Sequence, residues 1–156
     1  MDARIAAHLD ALDRAFDARA WHGPTLTSAV RGLGEAAASW RPAPDAHNAW
    51  EYVVHGAYWT YRVLRHVAPA PPTRFDEPGS DFFERPAPGH SLADDLARLS
   101  DWHGRLRAAV ASFDPDRLGE IATDGYSYAD LIGGVAAHHV YHAGQIRLLR
   151  RLQGDV

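Results

Sequence analysis

The ten prolines of this 156-residue chain constrain its fold most, because all of them lie outside four stretches with helical periodicity. Proline lacks a backbone donor and clashes with the preceding turn, so helix interiors exclude it. The four stretches run from about residue 2 to 19, 48 to 67, 91 to 112 and 127 to 152, and apolar residues recur in each at steps of three and four. No stretch shows the alternation typical of a strand. The chain is therefore predicted to be all-α, with the four helices forming a four-helix bundle.

Local signals support three of these helix starts. Asn48, Ser91 and Ser127 each precede an acidic residue by three positions, which is the pattern of a capping box. Between the second and third helices, residues 68–90 contain six of the ten prolines. A segment of this composition cannot continue a helix, so we expect a long proline-rich crossover. Three phenylalanines are expected to fasten it to the helices: Phe75, Phe82 and Phe83.

Composition excludes several classes of function. The 16 basic residues, all of them arginine, are scattered and are outnumbered by 20 acidic residues, which argues against nucleic acid as a partner. The chain has no cysteine, so a metal must be held by nitrogen or oxygen, and a reactive thiol must come from outside. The sequence shows no signal-peptide pattern and no long apolar run, so we expect a cytoplasmic protein that does not bind a membrane. The length predicts one domain over residues 1–156.

The last helix carries the sequence Ala-His-His-Val-Tyr-His-Ala-Gly-Gln-Ile from position 137. Two of its histidines, His138 and His142, are one helical turn apart, so both imidazoles can reach one metal ion. The alternative is that they are core histidines bonded to neighbouring side chains or water. His139 points about 100° away from His138 and is expected at the rim or surface. The stripe predicted to face the core is Leu131, Val135, His138, His142, Gln145, Leu149 and Leu152.

Three further polar residues, one on each of the second, third and last helices, are candidates for a role at this site. His55 lies beside the apolar stripe of the second helix, where periodicity permits an inward direction without requiring it. His103 occupies a core position of the third helix. It is either a hydrogen-bonded core or rim histidine, or a metal ligand or a residue that contacts one. Gln145 lies one turn beyond His142, where it either bonds a ligand or substrate or packs at a helix end.

These residues resemble the DinB-like superfamily of bacterial metal-binding four-helix bundles. The resemblance rests on Trp-Glu-Tyr-Val-Val-His-Gly-Ala-Tyr-Trp in the second helix and on His-His-Val-Tyr-His-Ala-Gly-Gln-Ile in the last, and it covers nearly the whole chain. It implies that His55, His138 and His142 bind a divalent metal, most often zinc or nickel, and leaves His103 outside this triad. It also implies a homodimer. Relatives include transferases that use a low-molecular-weight thiol and proteins described as metal-dependent hydrolases.

Three neutral imidazoles on a divalent ion leave coordination positions for water or substrate, as in a catalytic site. The ion keeps its full charge and acidifies what binds, which favours hydrolysis of a small molecule if water binds and transfer if a thiol binds. We therefore predict a metal-dependent thiol S-transferase or hydrolase. The alternative is a metal-binding or stress-response protein without turnover.

Other side chains leave their roles open. Asp101 and Asp130 are candidate general bases, although no catalytic residue can be assigned. Four aromatic residues either line a pocket or belong to the core: Tyr52, Tyr58, Trp59 and Tyr141. Three glycines inside the last helix, Gly133, Gly134 and Gly144, mark either the close approach of a backbone or ligand or neutral drift.

Overall fold

The computed structural model describes residues 1–154, and α-helices make up most of its secondary structure. They are α1 (Ala3–Phe16), α2 (Leu26–Val30), α3 (Glu35–Ala38), α4 (Ala49–Val67), α5 (Leu92–Ala111) and α6 (Tyr128–Leu152). A 3₁₀ helix (Pro115–Arg117) and two short strands, β1 (Ile121–Thr123) and β2 (Tyr126–Ser127), lie between α5 and α6. The chain is predominantly helical, as the periodicity predicts, whereas the expectation of no strand is wrong.

The two strands form a small antiparallel hairpin directly before α6. Its turn residues, Asp124 and Gly125, both have positive φ, at 46° and 83°. An Asp-Gly pair in this conformation is the sequence preferred for a two-residue hairpin turn. Strands of three and two residues are too short to show an alternating pattern, which is why periodicity missed them.

The predicted capping signals operate at the starts of α4, α5 and α6. The Asn48 side chain accepts a hydrogen bond from the Glu51 backbone at 2.8 Å, and Glu51 reaches back to the Asn48 backbone at 3.3 Å. Ser127 forms the same reciprocal box with Asp130, and Ser91 caps α5 by accepting from the Asp94 backbone. These boundaries are confirmed, while α1 ends at Phe16, earlier than expected.

The four long helices contact one another in a closed ring in the order α1, α5, α4, α6, and α2 packs on α6. Side chains with no exposed surface fill the centre of this ring, among them Leu12, Val54, Leu106, Ile132 and Ile146. No helix within residues 1–154 is both long and apolar enough to cross a membrane.

The connection between α4 and α5 is fixed to the helices by a buried arginine. The Arg85 side chain, 1% exposed, donates to Asp95 of α5 and to Glu77 of the connection itself, each at 2.6 Å. Asp95 also accepts from the Trp50 indole of α4 at 2.7 Å. Phe75 and Phe83 are buried beside this network, as expected. The connection therefore lies in a defined position against α4 and α5.

Candidate metal centre

Three histidines from two helices meet at one point between α4 and α6. The Nε2 atom of His138 lies 3.0 Å from His55 Nε2 and 2.9 Å from His142 Nε2. His138 and His142 are brought together by the single turn of α6 that separates them, and His55 faces them from α4. Among residues 1–154, these three form the group of side chains that could hold a metal ion. The structure thus brings together the three residues that the resemblance implied.

Two of the three rings are fixed by a hydrogen bond on their other nitrogen. His55 Nδ1 lies 2.8 Å from the backbone carbonyl oxygen of Asp81, and His142 Nδ1 lies 2.6 Å from Gln145 Oε1. Both partner oxygens are acceptors, so each Nδ1 carries the proton and donates it. The Nε2 atoms of His55 and His142 are then unprotonated, and their lone pairs point towards His138.

His138 cannot satisfy both of these neighbours. A proton on His138 Nε2 can be donated to only one of the two facing lone pairs. The other lone pair then has no donor to accept from. Buried polar atoms are rarely left unpaired, because the loss of water costs free energy. A single cation would accept all three Nε2 lone pairs, so the donor set fits a divalent metal.

The surroundings keep these imidazoles neutral. Burial, with added repulsion from the neighbouring histidines, lowers the pKa of His138 to about 4 and that of His142 to about 3. Burial also lowers the pKa of His55, against a smaller opposing effect of the Asp81 carbonyl and carboxylate. Neutral imidazole is the form that binds metal, so all three rings are in the ligand form near pH 7.

Sequence reasoning missed Asp81, which contacts the centre from the connection between α4 and α5. Besides the backbone bond to His55, its carboxylate accepts from the Trp59 indole at 2.9 Å and lies 3.4 Å from His55 Nδ1. Asp81 has a φ of 66°, a left-handed conformation that only a few non-glycine residues adopt. Because the contact with His55 is made by the Asp81 backbone carbonyl, the type of side chain at this position could not predict it.

Aromatic rings enclose the same histidines. Phe82 stacks on His55 with ring centroids 3.9 Å apart, and Tyr52 packs on His142 at 4.9 Å. Trp59 lies 6.0 Å from His138. Of the four aromatic candidates, Tyr58 is a core residue, whereas Tyr141 is largely exposed.

The prediction for His139 is wrong, since this residue is completely buried. Thr60 donates its hydroxyl proton to the Gly56 carbonyl at 2.8 Å, so His139 Nε2 donates to Thr60 Oγ1, 3.0 Å away. The buried face of α6 includes Ile132, Ala136 and Ile146 as well as Val135 and His142, because α6 contacts α1, α2 and α4. The predicted stripe was too narrow, and its last member, Leu152, is exposed.

The remaining candidates lie in different surroundings. His103 is buried, as predicted, and stacks on Phe16 at 3.7 Å, with no hydrogen bond to the three histidines among residues 1–154. Gln145 holds His142, as described above. Asp101 is exposed near Arg105, and Asp130 accepts bonds from Ser127 at the start of α6.

A cavity of about 550 Å³ opens beside the centre, with His55 and His138 in its wall. Helices α4 and α6 form its sides, and the β1–β2 hairpin contributes Thr123, Asp124 and Tyr126. Gly134 also lines it, and a Cβ added at Gly134 would meet no atom within 4 Å. The glycine is therefore not required by a neighbouring protein atom.

Comparison with known proteins gives one finding. A family model described as DinB superfamily matches residues 18–146, a span that includes all three histidines. No curated protein and no solved structure matches the chain.

Proposed function

Since the chain belongs to the DinB superfamily, we propose that His55, His138 and His142 bind one divalent metal ion, with zinc or nickel as the first candidates. The observation that carries this proposal is the convergence of three Nε2 atoms of which two are locked in the unprotonated form. Imidazole nitrogen suits both metals, and the absence of cysteine leaves nitrogen and oxygen as the available ligand atoms.

We propose further that the centre is catalytic. Three protein ligands leave at least one coordination position open, and the adjoining cavity gives a small molecule access to it. A divalent ion held by neutral imidazoles supplies Lewis acidity, which serves hydrolysis of an ester or amide and transfer of an external thiol. The expected activity is therefore that of a metal-dependent hydrolase or thiol S-transferase.

The chain's own residues would support this chemistry in two ways. The Asp81 carbonyl and Gln145 orient the His55 and His142 rings, as the outer partners of metal-binding histidines do. The Asp81 carboxylate lies in the cavity wall beside His55, where it can take a proton from water or a thiol.

The ring of contacts among α1, α5, α4 and α6 supports a four-helix bundle as the scaffold, with the connection after α4 as its crossover.

The first test is metal content, measured by inductively coupled plasma mass spectrometry on untagged protein. We expect about one zinc or nickel per chain in the wild type and none in His138→Ala. His66→Ala is a matched control, because His66 lines the same cavity two turns beyond Trp59 but is not among the three. Loss of metal in neither variant, or absence of metal after reconstitution, would overturn the proposal.

The second test separates the kinds of function. Metal-loaded and metal-free protein are assayed with model esters and, separately, with an electrophile plus an excess of a low-molecular-weight thiol. Metal-dependent turnover in either assay supports an enzyme and identifies its class. Bound metal without turnover in both assays would favour a metal-binding or stress-response protein.

A further inference from the structure

The cavity beside the histidines has a polar end and apolar walls. Its walls come from Trp59 and Val63 of α4 and from Leu131 and Val135 of α6. These side chains offer no hydrogen-bond partner except the Trp59 indole N–H, which already donates to Asp81. The part of a ligand that lies along these walls must therefore be apolar.

Arg62 lines the cavity away from the metal centre. It lies seven residues after His55, on the same face of α4, and so about 10 Å farther along the helix. Its guanidinium is 5.9 Å from the centre of the Trp59 ring, and the centre of the same ring lies 6.0 Å from that of His138. A ligand that reaches from the histidines past the indole therefore comes within range of this cation.

The guanidinium of Arg62 is not neutralised by the protein. Its described hydrogen bond goes to the Tyr58 hydroxyl at 3.1 Å, and no carboxylate lies within ion-pair distance of it among residues 1–154. By contrast, Arg41, Arg85 and Arg98 around the neighbouring connection each pair with at least one carboxylate. Arginine has five N–H donors in a planar fork that matches a carboxylate, so most of this capacity at Arg62 is available to a ligand.

Three acidic side chains line the same cavity: Asp81, Asp124 and Asp130. Asp81 is held by Trp59, and Asp130 is held by Ser127, both through hydrogen bonds to the carboxylate oxygens. Burial lowers the pKa of His66, with added repulsion from Arg62 and Arg65 and a smaller opposing effect of Asp124 on the hairpin turn. Among residues 1–154, Arg62 is thus the only arginine that lines this cavity.

We infer that the cavity binds an elongated ligand with an apolar body and a terminal carboxylate, which Arg62 binds while the other end faces the three histidines. This assignment rests on the proposed function and names the substrate class of the same site. It also gives Gly134 a role, because the absence of a side chain there leaves room for the apolar body.

The test compares three probes of one shape: 4-phenylbutanoate, its neutral amide and the corresponding amine. Binding is measured by isothermal titration calorimetry on the full chain, and metal content is determined on the same samples. We expect the carboxylate to bind about tenfold tighter than the amide, the size of one charge-assisted hydrogen-bonded pair. The preference should disappear in Arg62→Gln and persist in Arg65→Gln. Arg65 is a matched control, because it lines the neighbouring cavity of Tyr61 and Arg74 but not the cavity beside the histidines, whereas Arg62 lines both.

Gly134→Leu tests the position of the body independently of charge. The substituted side chain projects into the cavity without meeting protein atoms at its Cβ, so the helix should remain folded while all probes lose affinity. Circular dichroism checks the fold, and metal content checks the centre. Unchanged binding in Gly134→Leu would place the ligand elsewhere and overturn the inference.

Other outcomes of the binding test would also decide whether the inference holds. Tighter binding of the amine, equal binding of all probes, or a carboxylate preference that survives Arg62→Gln would each overturn the inference. Bound metal with no carboxylate preference would refute the anion site alone. A carboxylate preference in protein that binds no metal would retain the anion site and refute the metal centre.

Discussion

Two groups of histidines share one turn of α6, which gives His138 and His142 to one group and His139 to the other, and they differ in where their nitrogens point. His55, His138 and His142 turn three Nε2 atoms towards one point, at 2.9 and 3.0 Å. His139 and His103 are also buried, yet their ring centres are 6.3 Å apart, and no hydrogen bond joins them in the described chain. Each of these two leaves its Nδ1 unpaired. Burial of imidazoles is therefore insufficient for a site, and convergence of lone pairs is the distinguishing property.

The neighbours of each group explain this difference. Two of the three histidines, His55 and His138, border a cavity, and a loop carbonyl and Gln145 fix the rings of His55 and His142. The interior pair is surrounded by packing groups, with Phe16 stacked on His103 and Thr60 bonded to His139. The first arrangement favours the binding of an ion. In the second, His103 and His139 fill core positions as aromatic rings, and His139 is hydrogen-bonded to Thr60.

The largest expected effect follows from the removal of one of the three converging histidines. His142→Ala removes one of three ligands, so metal affinity should fall by at least about 100-fold, beyond what loss of an outer partner costs. Affinity is measured by competition with a chromophoric chelator. His103→Gln is the control from the interior pair and should leave the affinity within about twofold. A similar loss in both variants would show that the two groups are not distinct.

The next effect concerns acid stability of the metal-free protein. Burial lowers the pKa of His139 to about 3, so the unfolded chain takes up a proton below pH 6.5 that the folded chain refuses. Folding stability should therefore fall as the pH decreases from 6.5 towards 3, by up to about 1.4 kcal/mol per pH unit for this residue. Urea unfolding at pH 7, 6 and 5 measures the slope.

His139→Leu should make that slope shallower, because the substituted residue has no proton to exchange. His22→Gln, at an exposed position, should retain the wild-type slope. Equal slopes in all three proteins would mean that His139 is protonated in the folded state, contrary to its complete burial.

The smallest expected effect concerns Gln145, which contacts the three-histidine group through His142. Gln145→Leu removes the acceptor of the His142 Nδ1 proton, which should weaken metal binding by about tenfold without abolishing it. Gln145→Glu should retain the affinity, since a carboxylate accepts the same proton. Gln153→Leu, at the cap position directly after α6, serves as the matched control. No change in Gln145→Leu would show that the ring orientation is set by packing on Tyr52 alone.

Local sequence signals predicted the parts of this molecule that depend on local chemistry. The starts of α4, α5 and α6 followed from Asn48, Ser91 and Ser127, because a cap and its partner are three residues apart. The closeness of His138 and His142 followed from the helical repeat. His55 lies across the interface between two helices, and periodicity could not supply that distance. Its position came from the resemblance to the family.

The misses have a common cause in tertiary structure. His139 is buried because α6 has neighbours on three sides, a property of the whole fold that one stripe cannot express. Asp81 contacts His55 through its backbone in a loop conformation that side chain type does not encode. The hairpin before α6 consists of strands shorter than any periodic window.

The hydrogen bonds on the far side of the His55 and His142 rings also affect how an ion would be captured. Folding has already restricted the rotation of these two rings, so their conformational entropy is not lost again when they bind. Within residues 1–154, no hydrogen bond restrains His138 at its Nδ1. The entropic cost of capture thus falls mainly on one side chain, and the protein presents a preorganised two-point chelate that the third ring completes.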